Sequence, residues 1–266
     1  RVTVAYTSNK FGNVVRYRWK AIQAALDRAM LKWAMTWPSV TPSVRVRQTI
    51  LGTVTTAYPD AGSPGTTTVD GNTVHSLNNS LWATLRDGAG TASGAAQTSG
   101  LIMQISTGTT SGWDGLHRAQ YGFDFSAVAD TDTKDSAILS IFGVSKANGN
   151  SASLDLNIYS SVLASNTSLA AGDFDGIGTT AFATAITYAN LSTTAYNAFT
   201  LNSDGLNQIS LTGISNFGAR NANKDAANVE PTRNGSELAD SMQGNFADAT
   251  DATNDPKLEL THTSSV

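Results

Sequence analysis

A chain of 266 residues with 40% apolar and 14% charged side chains is long enough to bury a core and too weakly charged to stay open by self-repulsion. It contains no cysteine, which excludes disulfides, thiolate zinc sites and a thiol nucleophile. The net charge of −4 conceals a division: residues 1–50 hold nine Lys and Arg against Asp27 alone, +8, whereas residues 51–266 hold eight against twenty acids, −12. Asymmetry on this scale points to a surface-binding arm on a body of opposite sign, or to a basic helix packed on its own acidic domain.

At the front, "RVTVAYT" alternates Val2, Val4 and Tyr6 as a short strand does, and "SNKFGN" is turn material. The spacing then predicts an amphipathic helix over residues 14–37. Val15, Trp19, Ile22, Leu26, Met30, Trp33 and Trp37 recur at intervals of three and four and share one narrow stripe. Pro38 ends it. Such a helix is roughly 35 Å long, but Arg16, Arg18, Lys20, Asp27, Arg28 and Lys32 make membrane insertion costly, so no transmembrane segment is expected. Nor is there the uninterrupted apolar run of a signal peptide. A narrow stripe carrying bulky Trp suits protein packing, with copies of itself or with a larger assembly. The residues expected to dock are Arg16, Arg18, Trp19, Lys20, Ile22, Leu26, Met30, Trp33 and Trp37. No nucleic-acid partner is expected, because the basic residues are spread around the helix and no reading motif accompanies them. "PSVTPSVRVRQT" follows as a stiff Pro/Ser connector leading into an alternating segment.

From Thr53 onward the chain changes character. Short alternating runs, among them "TVTTAY", "TVHSL", "LIMQIS", "HRAQYGFDF", "SAILSIFGV", "SLDLNIYSS", "NAFTLN", "ISNFGAR" and "KLELTHT", are separated by "DGNT", "SGWDG", "KANGNS", "NSDG" and "NDP". Runs of this length, parted by φ-permissive turn residues and without intervening helices, predict a mainly β fold of the sandwich or jelly-roll type over residues 51–266.

Four segments carry a resemblance. "YGFDFSAVADTDTKDSAILSIFGV" joins a Phe-Asp pair, a small loop and a Ser-Ala-x-Leu-Ser strand, and "DPKLELTHT" forms a closing strand. With "SSVLASNTSLAAGDFDGIGTTAFA" and "AYNAFTLNSDGLNQISLTGISNFGAR" between them, they resemble carbohydrate-binding-module-like jelly rolls of the DNRLRE type, found in phage and environmental bacterial surface proteins. The resemblance spans roughly Thr53 to Thr263 and none of residues 1–50. It implies a β-sandwich on virions or cell surfaces, sometimes glycan-binding, and does not imply catalysis.

Candidate chemistry is sparse. His75, His117 and His262 show no HExxH or H-x-H spacing, and no G-x-S-x-G elbow occurs. Carboxylates cluster in loops: Asp130, Asp132 and Asp135; Asp173 and Asp175 in "GDFDG"; and Asp248, Asp251 and Asp255. Loop carboxylates suit a structural Ca²⁺, with Asp173 and Asp175 the best candidates, although Asp also favours turns because it bonds its own backbone. Trp82 and Trp113 are the only Trp beyond residue 50. Trp113, in "TTSGWDG", is the candidate glycan contact if its ring is presented at a turn, with Trp82 the core residue of the pair; the alternative is that both rings anchor packing. The expectation is a non-enzymatic virion structural protein: a phage capsid decoration, head-fibre or tail-associated protein. It would be located on the virion surface, dock on a capsid or other virion protein through residues 1–50, form a homo-oligomer or lattice, and display residues 51–266. The alternative is a secreted or cell-surface carbohydrate-binding module.

Overall fold

The computed structural model describes residues 24–26, 28, 52–62, 64–109, 111–249 and 252–264. The chain divides into two compact units, Arg1–Thr49 and Ile50–Val266. In the first unit the described residues, Ala24, Ala25, Leu26 and Arg28, are helical, and Leu26 is 45% exposed. The rest of the helix expected over 14–37, the strand before it and the connector after it lie outside the described residues.

The second unit is mainly β. Eleven strands follow in chain order: β1 (Thr53–Ala57), β2 (Asp70–Ser80), β3 (Ala92–Gly94), β4 (Ser99–Thr107), β5 (Trp113–Asp124), β6 (Thr133–Asn148), β7 (Leu156–Ser160), β8 (Tyr196–Thr200), β9 (Ile214–Asn221), β10 (Ala239–Asn245) and β11 (Lys257–Thr263). Every pairing between them is antiparallel. The main path runs β1-β11-β6-β10-β4-β5-β2-β3, with β8 also on β6, and β9 linking β5 to β7.

The 16-residue β6 serves two neighbourhoods. Thr133–Ser140 pairs with β11, Ile138–Phe142 with β8, and Gly143–Asn148 with β10. Period-2 burial shows why these segments are strands. In β11, Leu258, Leu260 and His262 are buried while Lys257, Glu259 and Thr261 are not. In β6, Ala137, Leu139 and Ile141 point into the core, where they join Phe123, Phe199, Phe217, Phe246 and Met242. Phe217 meets Phe123 and Phe182 edge-on at centroid distances of 6.1 Å each.

Several local expectations are corrected. "DGNT" is the start of β2 and not a turn. Gly71 sits there at φ +145°, and a Cβ would overlap the Gly94 carbonyl of β3, so glycine lets the two strands approach. "SGWDG" is not a turn throughout, because β5 already begins at Trp113. β3 and β10 were not expected, and two short helices also occur, α1 (Trp82–Asp87) and α2 (Ser203–Gln208). "NSDG" is the start of α2: the Asn202 side chain accepts from the N–H groups of Asp204 and Gly205, at 3.0 Å each.

The Gly71 geometry has a measurable consequence. Gly71→Ala is expected to cost on the order of 2 kcal/mol or more in urea denaturation, since both φ and space oppose a Cβ. Gly172→Ala, where a Cβ meets nothing within 4 Å, is expected to stay within about 0.5 kcal/mol of the parent.

Candidate functional site

β5 has two working faces, and consecutive residues His117 and Arg118 belong to different ones. On the Arg118 side lies a buried ionic cluster. Asp225 is fully buried in a single π-turn, Ala222–Ala226, whose first N–H groups are capped by the Asn221 side chain. Its carboxylate is bracketed by two guanidinium groups. Arg118 from β5 donates Nε to Oδ2 at 2.9 Å and Nη2 to Oδ1 at 2.8 Å, and Arg220 from β9 donates Nε to Oδ2 at 2.8 Å and Nη2 to Oδ1. Two further donors of each arginine are used on carbonyls. Arg118 reaches Phe174 O at 2.8 Å and Arg86 O at 3.0 Å, and Arg220 reaches Ile177 O at 3.1 Å and Gly178 O at 3.2 Å. Arg86, from α1, donates Nε to Asp225 O at 2.7 Å, and the Arg118 guanidinium lies 3.9 Å above the Phe174 ring. Burial opposes the Asp225 charge, but Arg118 and Arg220 outweigh it and hold the carboxyl below its ordinary value. Four bonds to each guanidinium and near-complete burial turn the cluster inward rather than toward a ligand. Its role is to fasten the connection between β7 and β8 to the sheet.

On the His117 side is a pocket of about 340 Å³, lined by Asn72, Val74, Gln97, Leu101, His117 and Gln243 together with Ser93, Ser99 and three small residues of β3 and β4. No Asp, Glu, Lys or Arg lines it. Gly94 and Gly100 make room for the Gln97 amide, since a Cβ at either would run into its Nε2 or Oε1. Asn72 Nδ2 is used on Leu101 O at 3.3 Å, which fixes the orientation of that amide. His117 Nδ1 is buried without a partner among the described residues, and burial pushes the imidazole down to about 4, so it is neutral at physiological pH. The site therefore presents uncharged donors and acceptors over a small apolar patch, the lining suited to a neutral polar molecule.

The other histidines are occupied. His75 Nδ1 lies 2.8 Å from Leu85 O and its ring meets Phe174 edge-on. His262 sits between Asp132 Oδ2 at 2.8 Å and Thr55 Oγ1 at 3.0 Å. The order Asp, His, hydroxyl follows the logic of a nucleophile, base and orienting acid. The His262 and Asp132 side chains are only 9% and 6% exposed, however, and the two bonds tie β1, β11 and the turn before β6 together.

The residues singled out from sequence are placed as follows. Trp113 is not presented at a turn: it is 1% exposed, donates Nε1 to Glu230 Oε1 at 2.8 Å, and packs edge-on against buried Trp82 at 5.6 Å. A ring held this way has no free face for a sugar. Asp173 is buried with both oxygens engaged, Oδ1 by the N–H of Ala164 at 2.8 Å and Oδ2 by that of Ala170 at 2.7 Å, while Asp175 is exposed. Asp173 thus caps a loop. Among the described residues no group of three or more His, Cys, Asp or Glu is arranged to hold a metal ion, and no helix is long and apolar enough to cross a membrane. Of the docking set, Leu26 is the one described residue; Arg16, Arg18, Trp19, Lys20, Ile22, Met30, Trp33 and Trp37 lie outside the described residues.

A second buried acid behaves in the opposite sense to Asp225. Asp70 Oδ2 accepts from Ala247 N at 2.9 Å, but Oδ1 has no partner among the described residues. Burial raises its carboxyl well above the ordinary value of 3.8, the Ala247 N–H opposes this, and Asp248 and Asp255 add like-charge repulsion. The two acids give stability profiles of opposite slope. Asp225, with a lowered value, contributes stability above the unfolded carboxylate range that is lost as pH falls through the folded value. Asp70, with a raised value, contributes below 3.8 and loses that contribution as pH rises through the folded value. Asp70→Asn is therefore expected to raise the melting temperature at pH 7 and to match the parent below pH 3.8. Asp225→Asn is expected to cost about 3–5 kcal/mol at pH 7, because two buried guanidinium groups lose their counter-ion, with the deficit shrinking in acid. Thermal denaturation across pH checks both.

Compared with protein-family models and with curated proteins, the chain matches none.

Proposed function

We propose that the chain is a non-enzymatic structural protein of a virion, a phage capsid decoration, head-fibre or tail-associated protein, which docks through its N-terminal arm on a capsid or other virion protein and displays a jelly-roll β-module. The observation that carries this reading is the division of the chain into Arg1–Thr49 and Ile50–Val266, which falls where the sequence turns from strongly basic to acidic. An arm of one charge on a body of the other can adhere without collapsing the body's own fold. The module supports the reading through its economy: an antiparallel sheet held without cysteine, with its buried arginines and Asp173 bound internally. Deleting residues 1–40 is expected to abolish incorporation into particles while the remaining chain keeps its β-type circular dichroism. Unchanged incorporation would remove the docking role.

A second reading, a secreted or cell-surface carbohydrate-binding module, is favoured by the uncharged pocket around His117. Trp113 is withdrawn as its sugar platform. The amides of Asn72, Gln97 and Gln243 would act instead, through hydrogen bonds to hydroxyl groups. On this reading Gln97→Ala lowers binding to neutral glycans on an array at least tenfold, with the melting temperature unchanged. Equal binding by parent and variant would exclude the pocket.

A further inference from the structure

β1, β11, β6 and β8 are laid side by side, and among the described residues β1 pairs only with β11, and β8 only with β6. Among the described residues the outward edge of β8 has no strand partner. Leu201 N donates to Ala137 O at 2.9 Å and Gly143 N to Ala195 O at 3.2 Å, one residue beyond each end of the β6–β8 register. Antiparallel alternation then turns the N–H and C=O of Phe199 and Asn197 toward β6 and those of Ala198 and Thr200 away from it. The away-facing groups border a groove of about 430 Å³ whose other wall is Thr184–Thr187. That wall is held back by the reciprocal Leu156–Ile186 bonds, at 3.0 and 2.9 Å. Its lining is Thr, Ala, Ile and Asn, small enough for a backbone to approach and free of charge.

Exposed edges are normally blunted by Lys, Pro, a bulge or a cover. β1 reads Thr-Val-Thr-Thr-Ala and β8 Tyr-Asn-Ala-Phe-Thr; neither carries a charge or a proline, and both pairings run without a register shift. Val54 is 59% exposed at the first of these edges. The two strands also match in polarity and face. β1 and β6 run one way, β11 and β8 the other, so a copy displaced along the sheet brings its β1 antiparallel to β8. Each strand has five residues with one buried and one exposed side: Ala57 and the half-buried Thr55 inward with Val54 and Thr56 outward in β1, Asn197 and Phe199 inward with Ala198 and Thr200 outward in β8.

We propose that β8 is the acceptor for β1 of a second copy of this chain, so that copies join head to tail by continuing one antiparallel sheet. Such an interface is heterologous and builds a ring or a filament according to whether its rotation closes. Register is fixed by faces: Val54 and Thr56 of one copy must lie on the same side as Ala198 and Thr200 of the next. This holds whether or not the arm docks on a virion.

The absence of cysteine makes the test direct. Full-length chains with a single cysteine at each of positions 53 to 56 are mixed with Ala198→Cys and oxidised. A cross-link is expected with whichever of Val54→Cys and Thr56→Cys lies opposite Ala198 and not with Thr53→Cys or Thr55→Cys, and none of the β1 variants should link to itself. In sedimentation velocity the parent should associate with concentration. Ala198→Pro removes an N–H that β6 does not use and should move the association midpoint at least tenfold higher with unchanged circular dichroism. Thr200→Lys, which adds charge at the same edge, should do the same if the proline variant folds poorly. A monomer at every concentration, association indifferent to both edge variants, or cross-links without the alternating pattern would each overturn the proposal.

Discussion

One carboxylate, Asp225, decides how the β-module is covered. The connection from Ser161 to Ala195 has little regular structure, and a segment of that length would ordinarily stand off the surface with its backbone in water. Here its carbonyls are claimed from below: Phe174 by Arg118, Ile177 and Gly178 by Arg220, and Asp173 by Gln120 at 2.6 Å. Two guanidinium groups remain under a protein layer because they share the Asp225 carboxylate and spend further N–H groups on backbone carbonyls, and Asp225 remains charged there because they surround it. Removing Asp225 leaves two buried cations without their counter-ion, and removing either arginine leaves carboxylate and carbonyl acceptors without their donors, which is why the cluster behaves as a unit.

The same cluster stiffens the opposite face. Arg118 is locked by bonds from three different elements, so its neighbour His117 has little freedom to move, and the amide-lined pocket has a fixed floor. A pocket whose back wall is immobile loses little entropy when it is filled. Stiffness of this kind serves recognition of a rigid, neutral molecule, and it serves equally a module that must keep its shape while carried on a larger particle.

Legibility in the sequence followed the strength of the local pattern. β11 and β7 were visible because Leu258 and Leu260, or Leu156 and Ile158, alternate with polar residues, and β6 because Ala137, Leu139 and Ile141 do. β10, Ala-Asp-Ser-Met-Gln-Gly-Asn, was hidden because only Met242 among its buried positions is large and apolar. "DGNT" misled because Asp, Gly and Asn usually bend the chain, whereas Gly71 serves to let β3 come close. α1 and α2 are too short to show a helical period. The ionic cluster joins residues 107 positions apart in the chain, Arg118 and Asp225, a separation that no spacing rule reaches. Its one local trace was an Arg set within each of two strands otherwise rich in buried residues, "HRAQYGF" and "FGARN". Of the two readings of Trp113, packing is the one its burial matches; the flanking Ser, Gly and Asp concealed that it starts a strand.

The first strand of the module is completed by the last. Thr53 lies opposite His262, so nearly the whole length of the module intervenes between two residues that must meet. Contacts of such sequence separation form late, after the entropy of closing the long intervening loop has been met. During synthesis on the ribosome β1 therefore emerges first and waits, unpaired, until Lys257–Thr263 has cleared the exit tunnel. A product that stops short of β11 would be released with both sides of β1 and one side of β6 open, so the seven-residue β11 is the strand that removes the two edges the complete module does not present.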